Sequence, residues 1–198
     1  MFFFSKASSL SLPPYDQVTQ SPIRVSQQGV YKMLRKLKNG KAAGPDGLTK
    51  NDLSMDMNNT AANLTLIFQY SLDSGTLPDI WKTANVVPIF KIGDREDSGN
   101  YRPVSLTCIA CKLLEHIVLS HLSPIFEGFL CPEQHGFRRG LSCATQLVST
   151  TNSFMTSIDR GVTMHAAVLD FSKAFDRVSH GLLINKLHDI GIDTLLIK

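Results

Sequence analysis

No stretch of this 198-residue chain offers the roughly 20 apolar residues a membrane-crossing helix needs, because Lys, Arg, Asp or Ser interrupts every hydrophobic segment. Its start, MFFFSKASSLSLPPY, lacks the basic opening and long apolar run of a secretory signal. These absences predict a chain that acts inside the cell, in nucleus or cytoplasm, is not secreted and has no membrane partner. Cysteine is scarce: Cys108, Cys111, Cys131 and Cys143 are the whole supply. The first two frame a CIAC that looks like half a zinc site, but no second close pair follows. His116 and His121 fall in an apolar helical pattern and His135 in a Gly-containing loop, so reduced, partly buried thiols are expected. No internal repeat or low-complexity tract separates independent domains, and one structural unit is expected.

What is present has the bulk composition of a soluble domain or part of a larger one, with 43% hydrophobic and 19% charged residues. The formal net charge of +3 is too small to signal a nucleic-acid partner by itself, since clustering decides that question. Residues 1 to about 25 carry Ser, Pro and Gln without periodicity and read as a mobile lead-in. From Ser26 the pattern changes. A candidate N-cap is followed by Val30, Met33, Leu34 and Leu37 at helical spacing, with Gly40 as the stop.

The other face of that helix carries Lys32, Arg35, Lys36 and Lys38, followed by Lys41 and Lys50, against the single acid Asp46 in residues 31–50. Such a face is either solvated or a contact surface for a polyanion. KAAGPDGLTK then reads as a turn-rich loop able to approach a partner closely through Gly44 and Gly47. A second helix is expected over 61–74, ended by Gly75 and Pro78, with Trp81 packed on the core. NVVPIF reads as a strand and KIGDREDSGN as a loop, and Arg102 through Leu106 begins a second strand. Helices are expected from Lys112 to about Leu122 and from Cys143 to about Ile158. The whole is an α+β or α/β pattern.

MHAAVLDF is a nearly continuous apolar run, as a buried central strand shows, and it delivers Asp170 at its end. A buried carboxylate must be paired, hydrogen-bonded or bound to a cation. Asp176 suggests a two-carboxylate metal site, but geometry opposes it. In an extended segment the two Cα atoms lie roughly 20 Å apart, and in a helix Asp176 falls in the first turns as a start or salt-bridge residue. One carboxylate is therefore local, whereas a catalytic Mg²⁺ site draws on more than one.

Five segments now stand in order along the chain: KAAGPDGL, WKTANVVPIFKIGD, NYRPVSLTCIACKLLE, QHGFRRGLS and LDFSKAFDRVSHGLLINKL. Together they resemble the reverse transcriptases of non-long-terminal-repeat, jockey-like retrotransposons over roughly residues 26 to 198. The wording of NYRPVSL and LDFSKAFDRVSHGLL favours these over maturases of the same fold. The resemblance implies a partial right-hand polymerase, helix-rich with a few central strands. Residues 26–84 would form a helical N-terminal region, and 85–198 the fingers and the start of the palm. It implies transfer of deoxynucleotides from their triphosphates to a DNA primer on an RNA template, with two divalent ions, Mg²⁺ or Mn²⁺.

Carried over residue by residue, Asp170 matches the first metal-binding aspartate, and Phe171 would offer its backbone carbonyl to a metal. Phe175 matches the position beneath the sugar, where a ring leaves no room for a 2′-hydroxyl. Lys91 and Arg102 match finger positions that close on the triphosphate, a point charge beside a guanidinium able to bind phosphate oxygens in pairs. Gln134, Arg138 and Arg139 match a segment lying against template and primer, where the arginines would pair with backbone phosphates. Family members usually carry Pro where this chain has Ala43. The chain also stops before the family's later glycine-containing loop and aspartate pair, so the expectation is that this polypeptide alone does not polymerise. A non-catalytic nucleic-acid-binding remnant is the competing reading.

Overall fold

The computed structural model describes residues 21–171 and 173–198. Helix α1 spans Gln27–Lys36 and starts where the sequence places its cap: Ser26 Oγ accepts the N–H of Gly29 at 3.1 Å. Val30 and Leu34 are fully buried on its inner side. Residues just before it are already anchored, because Val25 N–H donates to Gln69 Oε1 at 3.0 Å and Gln69 Nε2 donates to the Ile23 carbonyl at 3.3 Å. The segment 21–25 is thus tied to the next long helix; the rest of the lead-in lies outside the described residues.

A short helix, α2 (Lys50–Ser54), has no period long enough to read from sequence. Its capping box explains it: Thr49 Oγ1 accepts from Asp52 N–H while Asp52 accepts from Thr49 N–H. Helix α3 (Met57–Ser74) begins a turn earlier than its apolar spacing suggests, capped by Asp56, and ends at Gly75 with φ of 63°. A single turn of 3-10 helix, Asp79–Lys82, then inserts Trp81, whose ring meets Phe68 edge-on at 5.8 Å between centroids.

Strands β1 (Asn85–Phe90) and β2 (Tyr101–Leu106) form an antiparallel hairpin, the sheet of the described residues. Pro88 sits opposite Pro103. Neither has an N–H to donate, which suits a ribbon whose two strands are both edges. Helix α4 (Ile109–Glu127) follows, then α5 (Cys143–Asp159), α6 (His180–Asp189) and α7 (Thr194–Ile197). The start of α4 is core, with Ile109, Ala110, Cys111, Leu113 and Leu114 buried against α1, α3 and Trp81. Contrary to the sequence expectation, α4 is long and apolar enough to cross a membrane by length and composition. Its scattered polar residues break apolar runs without making the segment polar on average.

Cys108 and Cys111 are buried thiols. Their sulfurs donate to the carbonyls of Ile80 (3.6 Å) and Trp81 (3.8 Å). Burial first, and then Glu115 beside it, push the Cys111 thiol up to about 11. The glycine of the GPDG loop has a specific reason to be glycine. A Cβ on Gly44 would stand 2.5 Å from the Cys108 backbone nitrogen and 2.6 Å from the Thr107 carbonyl carbon. Backbone cannot yield as a side-chain tip does, so Gly44→Ala is expected to destabilise the fold by about 3 kcal/mol. A urea titration reads that directly, and a loss below about 1 kcal/mol would contradict the close packing.

The described residues divide into two compact units, not one: Leu122–Lys186, and the residues up to His121 together with Leu187–Lys198. The large buried apolar side chains belong to the second. In the first, residues 162–171 form no strand, and Val168 and Leu169 are 79% and 72% exposed. The expected buried central strand is therefore corrected to an exposed, irregular segment. A strand needs a neighbour for its N–H and C=O groups, and no described strand pairs with it.

Candidate nucleotide and template site

Both cations expected to meet a triphosphate lie on the hairpin. Arg102 stands opposite Ile89, and Lys91 directly follows β1, its N–H donating to the Asn100 carbonyl at 2.8 Å. Side chains alternate across a ladder, so Lys91, Ile89 and Arg102 share one face as diagonal and facing neighbours. Both cations are exposed. The opposite face carries Phe90 and Tyr101, packed edge-on at 5.5 Å, with the Arg95 guanidinium 4.9 Å from the Phe90 ring centre.

The loop between the strands is held by its own polar groups. Asp94 accepts from Glu96 N–H (3.0 Å) and Asp97 from Gly99 N–H (2.8 Å). Asn100 Nδ2 donates to the Asp94 carbonyl at 2.9 Å, and Tyr101 Oη to that of Arg95 at 2.8 Å. Asp94 and Asp97 thus serve as turn caps, and Arg95 is turned onto an aromatic ring. Lys91 and Arg102 remain the cations of the opposite face.

The other expected residues belong to the unit Leu122–Lys186. In the QHGFRRG loop, Gln134 is half-buried and its Nε2 donates to the Gly136 carbonyl at 3.2 Å. Arg138 is committed inward. Its Nε donates to Glu127 Oε1 at 2.9 Å, and its Nη1 to the carbonyls of Cys131 (2.8 Å) and Gln134 (3.4 Å). A guanidinium used this way fastens the loop to the end of α4. Arg139 is exposed and makes no such bond among the described residues, so of the two arginines it is the one whose guanidinium is open to solvent.

Phe137, which the sequence reading passed over, is the loop's outlying residue: φ is 62° and the side chain is 97% exposed. A positive φ is costly for a bulky residue. Its ring meets Phe175 edge-on, 6.0 Å between centroids at 87°. The loop motif and the LDFSKAFDR segment, remote in sequence, are thus joined through the residue expected beneath the sugar. Its only sequence signal is an aromatic inside a glycine-rich, basic loop.

Asp170 is exposed and has no hydrogen-bond or ion-pair partner among the described residues, and Phe171 beside it is also exposed. It is not the buried carboxylate the apolar run implied, so solvation replaces the partner that burial would have required. Asp176 lies in the turn 173–177, ahead of α6 rather than in its first turns. Among the described residues no three His, Cys, Asp or Glu side chains are placed to hold a metal ion together. Asp170 could supply one hard oxygen and the Phe171 carbonyl another, a fraction of the six a Mg²⁺ ion takes.

Residues 91–198 match the family model of the reverse transcriptase, or RNA-dependent DNA polymerase. The chain belongs to the reverse transcriptase family. The match begins at Lys91 and includes every expected site residue. Among curated relatives, the chain is 31% identical over 182 residues to a probable RNA-directed DNA polymerase from transposon BS of Drosophila melanogaster, covering 90% of this chain and 20% of the relative. The RNA-directed DNA polymerase from mobile element jockey of the same organism is 31% identical over 165 residues, covering 82% and 18%. The Pol polyprotein from the type-1 retrotransposable element R2 of Popillia japonica is 32% identical over 155 residues, covering 77% and 20%. The chain thus spans about a fifth of the length of these curated relatives.

Proposed function

We propose that this chain is the nucleotide-handling and template-handling part of a retrotransposon RNA-directed DNA polymerase, built as the fingers and first palm segment of a right-hand polymerase. The observation that carries the reading is the pairing of Lys91 and Arg102 on one exposed hairpin face. Two cations of different geometry on a shared face, without an ion pair among the described residues, suit a polyphosphate. In this reading Arg102 forks onto phosphate oxygens while Lys91 adds a mobile point charge. In the unit Leu122–Lys186, Phe175, which Phe137 meets edge-on, would take the space of a 2′-hydroxyl.

Asp170 and the Phe171 carbonyl would contribute two oxygens to a divalent-metal site that other groups complete. The ions, two Mg²⁺ with Mn²⁺ as a substitute, would stabilise charge on the reacting oxygens when bound. Gln134 and Arg139 would face the template and primer, with Arg138 holding their loop in shape. The same reading has the enzyme meet RNA template, DNA primer and deoxynucleoside triphosphates in the nucleus or cytoplasm.

The test is discrimination between sugars. In an enzyme of its relatives' length containing this segment, Phe175→Ala is expected to narrow the preference for deoxynucleotides over ribonucleotides by roughly 10- to 200-fold in kcat/KM. Steady-state primer extension with matched nucleotide pairs measures it. An unchanged preference would remove Phe175 from the sugar pocket.

A further inference from the structure

Helix α1 lies outside the region that the family model matches, and the fold divides its surface cleanly. Val30 and Leu34 face the core at 0% exposure, while Lys32, Arg35 and Lys36 are exposed on the far side. Positions three and four apart share a helix face, so these cations form one stripe, and exposed Lys38 and Lys41 follow within five residues of the helix C-terminus. No Asp or Glu occurs between Asp16 and Asp46. The ion pairs of the described residues are Lys82 with Asp79 and Arg138 with Glu127, and neither involves this stripe. Asp46 and Asp52, the next acids along the chain, accept hydrogen bonds from Leu48 and Thr49.

Ordinary solvated helix faces interleave the two signs, because like charges at i,i+3 and i,i+4 repel. Here Lys32 repels both Arg35 and Lys36, with no carboxylate on the helix to offset either. The helix dipole favours Arg35 and Lys36 in the last turn, but it does not account for Lys32 in the middle or for Lys38 and Lys41 past the end. The unbalanced charge is neutralised when a polyanion lies along the stripe.

We infer that the outer face of α1, with Lys38 and Lys41, is a sequence-independent docking surface for the phosphate backbone of single-stranded RNA. The choice of RNA among polyanions rests on the polymerase reading; the stripe itself rests on charge and burial. Contacts of this type release counterions and give binding a steep salt dependence, with each phosphate contact adding about 0.7 to the slope of log K against log salt for a single strand. The cations are exposed, so neutralising them leaves the core intact.

The experiment uses the full chain, a labelled 20-nucleotide RNA of mixed sequence and a salt titration. The variant Lys32→Gln, Arg35→Gln, Lys36→Gln, Lys38→Gln is expected to bind at least tenfold more weakly at low salt, with a slope smaller by about 2 to 3. The charge-keeping variant Lys32→Arg, Lys36→Arg, Lys38→Arg is expected to bind as the parent does. Equal affinity and slope for parent and neutralised chain overturns the inference. So does binding to anionic lipid vesicles without binding to RNA. Neither outcome touches the polymerase reading, which stands or falls on primer extension.

Discussion

Phe68→Ala is expected to cost about 3 to 5 kcal/mol, a large share of the stability of an ordinary domain. Phe68 is fully buried, and its ring is the piece against which Trp81 is set edge-on. Around it stand Leu64 of the same helix, Val30 and Leu34 of α1, and the start of α4. Removing the ring forfeits its transfer from water and leaves a space that helices fixed by three caps do not close easily. The aromatic pair adds about 0.5 to 1.5 kcal/mol beyond area alone. Leu66, two residues away and 70% exposed, provides the contrast. Leu66→Ala is expected to stay within about 0.5 kcal/mol of the parent. Urea unfolding followed by Trp81 fluorescence compares the two, and similar midpoints for both variants would mean that Phe68 is not the centre of the core.

The parts of this architecture legible in the sequence were those whose cause is local. Ser26 caps α1, the apolar spacing from Val30 to Leu37 turns it inward, and Gly75 stops α3, each acting within a few residues of its own element. NVVPIF is β-branched and short, and it forms β1 over the expected residues. Helix α2 was missed because five residues carry no period, although Thr49 and Asp52 stand at the spacing of a capping box. The failure at 164–171 is of another kind. An apolar run states that a strand would be buried if it had neighbours, and the neighbours are a non-local property.

The site divides in the same way. The apolar run singled out Asp170 and the family resemblance singled out Lys91, Arg102 and Phe175, but that the two cations share a face follows from the register of β1 against β2. Inverting the register by one residue would put them on opposite faces. Arg138 and Arg139 are equivalent in composition, and only the position of Glu127 separates a loop fastener from a free cation. Phe137 becomes visible through its positive φ, which no sequence pattern states.

The central claim is that this segment supplies a catalytic carboxylate to a polymerase, and Asp170→Asn tests it most directly. The change keeps the size of the side chain and removes its charge at an exposed, unpaired position, so the fold is not expected to respond. In an enzyme of its relatives' length, loss of one anionic metal ligand is expected to reduce RNA-templated primer extension by about a thousandfold or more, equivalent to about 4 kcal/mol of transition-state stabilisation. Asp176→Asn, at the neighbouring turn, is expected to keep activity within about tenfold. Primer extension with Mg²⁺ comparing the two variants is the measurement: near-complete loss for Asp170→Asn alone is the predicted result, and extension at the parent rate by that variant would contradict the account.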